Sequence, residues 1–159
     1  MSGVAPGRCV VVEHACLGGE RRGSVVLGPA GRILAGAEGE VTAFDAGGRL
    51  VVSAFAEPHT HLDRAFSSAV TGWNASGSLT EAIERFKGSL PNLTVDIVAQ
   101  GARRALELLM AAGVGHVRTH TAVGGAADFC AWEAVEKAAS DLPGVEVHQV
   151  ALPVDANLD

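Results

Sequence analysis

Between residues 50 and 153 short apolar runs alternate with amphipathic stretches, and that alternation restricts the fold more than any other feature. "LVVSAFA" (50–56) is a continuous apolar run, as expected of a strand buried on both faces. "VGHVRT" (114–119) and "VEVHQVALP" (145–153) are two further β-rich runs. Between the first two, Val98, Ala102, Ala105, Leu106, Leu109 and Met110 recur at helical spacing, from a start near Thr94 to a stop at Gly113. "AADFCAWEAVEKAAS" (126–140) reads as a helix between the second and third runs. Strand–helix–strand–helix–strand requires crossover connections, and so a parallel sheet. A shorter helix is predicted from Leu79 to about Lys87. Ser78-Leu79-Thr80-Glu81 fits a capping box there, the Ser78 hydroxyl taking the Glu81 amide while Glu81 reaches back. A closed barrel of such units needs eight strands and about 250 residues. The predicted class is therefore α/β, with either a small open sheet or a partial TIM-type (β/α) barrel limited to its first three strands.

The first fifty residues have a different texture. "CVVVEHACL" (9–17) is a short β-branched run, and "SVVLGPAGRIL" (24–34) is two strands around a turn at 28–31. "EVTAFDAGGRLVV" (40–52) repeats the pattern around Asp45-Ala46-Gly47-Gly48. Short strands with close turns predict a small antiparallel β subdomain. The expected organisation is residues 1–52 as this subdomain and 53–159 as the first βα units, incomplete as a barrel.

Composition narrows the function. The chain is 48% hydrophobic and 19% charged, which suits a packed core rather than disorder. A net charge of −6 and the absence of a basic stripe argue against a nucleic-acid surface. No apolar run approaches the ~18 residues that span a bilayer, and the N-terminus does not read as a signal peptide. A cytoplasmic protein is expected. Cys9, Cys16 and Cys130 lack C-x-x-C spacing and read as reduced, buried thiols.

The chemistry concentrates in "FAEPHTHLD" (55–63). On a strand, residues i and i+2 share a face, so His59 and His61 project together. Pro58 suits a strand end, and barrel sites lie at the carboxyl ends of strands. By spacing alone the pair reads either as two metal ligands or as two satisfied histidines at a sheet edge. A catalytic zinc usually takes three protein ligands plus water. The other histidines are His14, His116, His120 and His148. In strand geometry His116, Arg118 and His120 share a face, which brings His120 to the carboxyl end beside the pair, as a ligand, an orienting group or a pocket wall. Glu57 and Asp63 offer carboxylates that orient imidazoles.

Four segments together resemble one family. "DAGGRLVVSAFAEPHTHLD" (45–63), "GWNASGSLTEAIERF" (72–86), "GVGHVRTH" (113–120) and "HQVALP" (148–153) are similar, in order, to the N-terminal portion of the amidohydrolase superfamily, in its cytosine deaminase-like branch. The resemblance implies that His59 and His61 bind one divalent metal, zinc or iron, which activates water to attack a cyclic C–N substrate. It places Leu79 and Val154 at the substrate, and Glu57, Asp63 and His120 in support of the ligands. Where cytosine deaminases end the third strand in Phe-Pro-Gln, with the glutamine bonded to the pyrimidine, this chain has Leu152-Pro153-Val154. Valine cannot make that bond, so a related amidine, pyrimidine-like or triazine ring suits the chain as well as cytosine does. The family's remaining metal ligands and its catalytic glutamate and histidine lie on later strands, so the resemblance assigns no catalytic residue within this chain.

The resulting expectation is an N-terminal part of a metal-dependent amidohydrolase or deaminase, completed by a missing C-terminal part or by a second chain. The alternative is a non-catalytic binding module that retains the start of the fold. The first reading predicts weak metal binding and no turnover by the purified 159-residue chain. Ammonia release from cytosine checks it, and measurable hydrolysis would contradict it.

Overall fold

The computed structural model describes residues 8–125 and 128–154. The predicted helix 126–140 therefore has its first two residues outside the described region, as does the start of the N-terminal segment read for a signal. The chain divides into two compact units, Met1–Ala54 and Phe55–Asp159.

The first unit is a four-stranded sheet of β1 (Arg8–Cys16), β2 (Arg22–Leu27), β3 (Ile33–Leu34) and β4 (Glu40–Asp45), in the order β3-β2-β1-β4. β1 and β2 pair antiparallel, as do β2 and β3 around the 3-10 turn Pro29–Gly31. β4, however, runs parallel to β1. The expectation of a purely antiparallel subdomain is thus corrected to a mixed sheet. Tight turns dictate antiparallel neighbours, but residues 35–39 form a longer link that carries the chain to the other side of β1. Val12, Ala15 and Ala46 form the small core of this unit.

The second unit carries β5 (Phe55–Thr60), α1 (Ser68–Thr71), α2 (Leu79–Ser89), α3 (Val95–Ala111), β6 (Val114–Val123), α4 (Cys130–Ser140) and β7 (Glu146–Pro153). The strands form a parallel sheet, β5-β6-β7. The chain is therefore a mixed α/β protein with a parallel sheet. The apolar run 50–56 is not a strand covered on both faces: regular pairing in β5 begins only at Phe55, and Leu50, Val52 and Phe55 are each about 60% exposed. α3 and α4 lie against β6, and α4 also against β7, so the helical layer covers the middle of the sheet rather than β5.

The core of this unit is Leu62, Ala102, Leu106, Val117, Val135 and Ala138. Along β6 the alternate residues Val117, Thr119 and Thr121 are buried, while His116 and Arg118 are exposed. The apolar stripe of α3 faces inward as its spacing predicts, and the Thr94 hydroxyl accepts the Ile97 amide at its start. Among the described residues no helix is long and apolar enough to cross a membrane.

Two local features shape the helices, one in the packing of α3 and one at the start of α2. Gly101 lies inside α3, where glycine normally costs about 1 kcal/mol relative to alanine. A Cβ there would lie 2.2 Å from the Ala65 carbonyl oxygen, just beyond the 3-10 turn Leu62–Arg64. The other feature is the start of α2. The Ser78 hydroxyl accepts the Glu81 amide at 3.2 Å, as predicted, but Glu81 does not reach back to Ser78. Its carboxylate instead accepts the amides of Ala75 (3.1 Å) and Ser76 (2.7 Å) and the Ser76 hydroxyl, and pairs with Arg85 at 2.6 Å. The loop folds back on the helix, and Ser76 Oγ takes the Ser78 amide in place of Glu81.

Gly101→Ala is expected to destabilise the protein by about 1–2 kcal/mol, because the clash outweighs the gain in helix propensity. Urea unfolding at fixed temperature measures it, and a stabilised variant would contradict the close approach. Hydrogen bonds from Ser76, then Arg85, hold the Glu81 carboxyl down to about 2, against a usual 4.5. A depressed folded value means that the stabilisation is fully present above the usual value and is lost as pH falls through the folded one. The start of α2 should therefore loosen between pH 4.5 and about 2. Amide exchange at Ala82 checks this, and Glu81→Gln should remove that pH dependence.

Candidate functional site

β5 and β6 pair in parallel, so both present their carboxyl ends at the same edge of the sheet. Phe55 pairs with Val114, the register slips, Ala56 and Glu57 pair with His116 and Val117, and after a second slip Thr60 closes opposite Thr119. His59 sits near the end of β5, and His61 follows it in an open conformation (φ −129°, ψ 81°) that leads into the 3-10 turn. Their ring centroids are 5.5 Å apart at 63°. β6 brings the His120 ring to 4.2 Å from His59, stacked at 29°, and to 5.9 Å from His61. The structure thus gathers three imidazoles at one strand end.

Backbone groups do more of the orienting than carboxylates do. His61 Nδ1 lies 2.8 Å from the His120 carbonyl oxygen. A carbonyl only accepts, so Nδ1 carries a proton, and in the neutral ring Nε2 is the nitrogen with the lone pair. Glu57 does not touch an imidazole through a hydrogen bond; its carboxylate accepts the His59 backbone amide at 3.1 Å. Asp63 is likewise turned away from the expected role. Its Oδ2 accepts the Ala122 amide at 2.9 Å, while Oδ1 stands 3.9 Å from His61 Nδ1, beyond hydrogen-bond reach. Arg64 Nε lies 3.7 Å from Asp63 Oδ2, and its guanidinium sits 4.1 Å above the Phe86 ring. Burial raises the Asp63 carboxyl above its usual value, against the lowering pull of the Ala122 amide, Arg64 and His61. Desolvation, then the neighbouring His59, Arg118 and His61, lowers the His120 imidazole.

The remaining candidates fall elsewhere. His116 and His148 flank Glu146, at 3.2 and 2.9 Å from its two oxygens. His14 pairs with Asp45 in the first unit. Leu79 is exposed at the first turn of α2, and Trp73 is exposed in the preceding loop. Val154 is half-buried against Phe86 and Ala122. Cys9, Cys16 and Cys130 are free, but only Cys9 is fully buried.

Among the described residues no three His, Cys, Asp or Glu side chains are grouped so as to hold a metal ion. The pair His59 and His61 suits part of a divalent metal's shell. Both are imidazoles, and the hydrogen bond at His61 Nδ1 leaves its Nε2 free to ligate. Sequence reasoning missed Thr119, which is fully buried and whose hydroxyl accepts the Leu62 amide at 3.0 Å. The signal was available: a threonine alternating with Val117 on a core face must find a polar partner.

No protein-family model and no curated protein matches the chain. Solved structures do. The chain is similar to 5-methylcytosine deaminase from Klebsiella pneumoniae liganded with 5-fluorocytosine, at 29% identity and a TM-score of 0.74, over 91% of this chain and 37% of that one. N-isopropylammelide isopropylaminohydrolase from Burkholderia multivorans gives 21% identity and a TM-score of 0.74, over 95% of this chain and 39% of its own. A triazine hydrolase from Arthobacter aurescens gives 19% and 0.65, over 91% and 35%. The last two likenesses concern the fold. The chain spans 35 to 39% of the length of these three structures.

Proposed function

Because the chain resembles the N-terminal portion of the amidohydrolase superfamily, in its cytosine deaminase-like branch, we propose that it supplies the metal-binding start of a hydrolase. The reaction is deamination or cleavage of a non-peptide C–N bond in a cyclic amidine or pyrimidine-like ring. On this reading residues 1–52 are the N-terminal β subdomain, and 53–159 are the first three strands of an incomplete (β/α) barrel. His59 and His61 hold one divalent metal, zinc or iron. When bound, such a metal lowers the pKa of water toward neutrality and so provides a nucleophile.

The chain's own residues prepare that site. The His120 carbonyl fixes the His61 tautomer, and Glu57 holds the backbone at His59. Asp63 secures β6 through the Ala122 amide. The His120 ring stacks on His59 at 4.2 Å and so limits where that imidazole can turn. Leu79 and Val154 border the substrate, and Val154 offers it no hydrogen bond. That absence favours a ring recognised by shape at this position over one read by an amide side chain. The general acid and base, and the other ligands, come from outside this chain: the rest of a longer protein, or a second chain. A cytoplasmic setting, with neither nucleic acid nor membrane as partner, suits the net charge of −6.

The observation that carries the reading is the convergence of His59 and His61 at the carboxyl end of parallel strands, with His61 Nδ1 committed to the His120 carbonyl. Zn²⁺ titration of the purified chain, followed by competition with a chromophoric chelator, tests it. His59→Ala and His61→Ala are each expected to weaken binding about tenfold or more. Unchanged affinity in both would overturn the reading.

A further inference from the structure

Three consecutive residues after β5 each engage β6 through a different hydrogen bond. His61 Nδ1 donates to the His120 carbonyl at 2.8 Å. The Leu62 amide donates to Thr119 Oγ1 at 3.0 Å. The Ala122 amide donates to Asp63 Oδ2 at 2.9 Å. These bonds lie where regular pairing between the strands has slipped and ended. The last two use side chains from residues that are 0% and 2% exposed. A buried backbone amide needs a partner, and here each of the two amides finds it in a side chain from the opposite segment.

We propose that Thr119 and Asp63 are positioning residues that aim His61 at the metal. This rests on the reading of His59 and His61 as ligands. The 3-10 turn Leu62–Arg64 follows His61 directly, so the direction of its imidazole is set by where Leu62 and Asp63 are held. Leu62 is 1% exposed in the core, which fixes its side chain but not the backbone amide beside it. Thr119 fixes that amide. Asp63 fixes the opposite side of the same step by drawing β6 toward the turn. With both in place, the His120 carbonyl is at bonding distance from His61 Nδ1, and Nε2 is left to ligate. Neither residue hydrogen-bonds the imidazole: Thr119 acts through the Leu62 amide, and Asp63 through the Ala122 amide together with its carboxylate 3.9 Å from His61 Nδ1.

The test uses the full chain with Thr119→Val and Asp63→Leu, which keep approximate shape and remove the acceptor, and with Thr119→Ser and Asp63→Asn, which keep an acceptor. Zn²⁺ affinity is measured by chelator competition. The His61 tautomer is read at about pH 8, above the usual imidazole range, from long-range proton–nitrogen correlations on the imidazoles. In the wild-type chain and the two conservative variants, His61 should be in the Nδ1–H form. Thr119→Val and Asp63→Leu should weaken Zn²⁺ binding about tenfold and give a mixture of tautomers. The two rungs are independent, so whichever variant folds carries the test. A folded Thr119→Val or Asp63→Leu with wild-type affinity and an unchanged tautomer overturns the clasp. If His61→Ala abolishes binding while those variants do not, only the clasp fails. If His61→Ala leaves binding intact, the metal reading fails, and the tautomer populations alone then decide for or against the clasp.

Discussion

The burial of Leu62 is the constraint on which the rest of the second unit depends. It is 1% exposed among Ala102 and Leu106 of α3, Val117 of β6, and Val135 and Ala138 of α4. The 3-10 turn around it touches β6, α3 and α4 alike. His61 is its immediate neighbour in the chain, so the backbone of this candidate ligand is tied to the centre of the core. Gly101 makes this possible. With no side chain, it lets α3 approach the Ala65 carbonyl to a distance that no Cβ tolerates. The price of glycine in a helix is offset by the packing that this approach allows.

Polar groups on the core side of that turn follow from the same constraint. Once the chain after β5 dives inward, the amides near it leave the regular ladder and must be satisfied locally. Thr119 and Asp63 do so from buried positions. Asp63 bears the electrostatic cost, its carboxyl raised by burial while Arg64 and the Ala122 amide pull it back. Arg64 in turn stands 3.7 Å from Asp63 Oδ2 and rests its guanidinium on the Phe86 ring, where the aromatic face attracts the cation.

Much of the secondary structure was readable in advance because period and capping are local. The α3 stripe and its Thr94 cap, the helix from Leu79, and the runs that became β6 and β7 all follow from spacing and termini. The failures share a cause. The run 50–56 is apolar without being covered on both faces, because apolar character alone does not say whether a strand will have neighbours on both sides. The direction of β4 depends on where a five-residue link delivers it, which periodicity does not encode. Glu81 reaches Ala75 and Ser76 rather than Ser78 because the loop folds back within its range.

At the site, the short spacing of residues 59 and 61 already kept the two imidazoles close, with ring centroids 5.5 Å apart, and the chain order already made the sheet parallel. Those properties belong to the sequence, because they rest on backbone geometry within a few residues and on the length of the connections. Which groups hold the imidazoles was decided only in three dimensions. The His120 carbonyl, the Thr119 hydroxyl and the displaced role of Asp63 arise between segments 57 to 59 residues apart. Their distances are set by how deeply Leu62 is buried and how closely α3 packs at Gly101, and no local pattern specifies either.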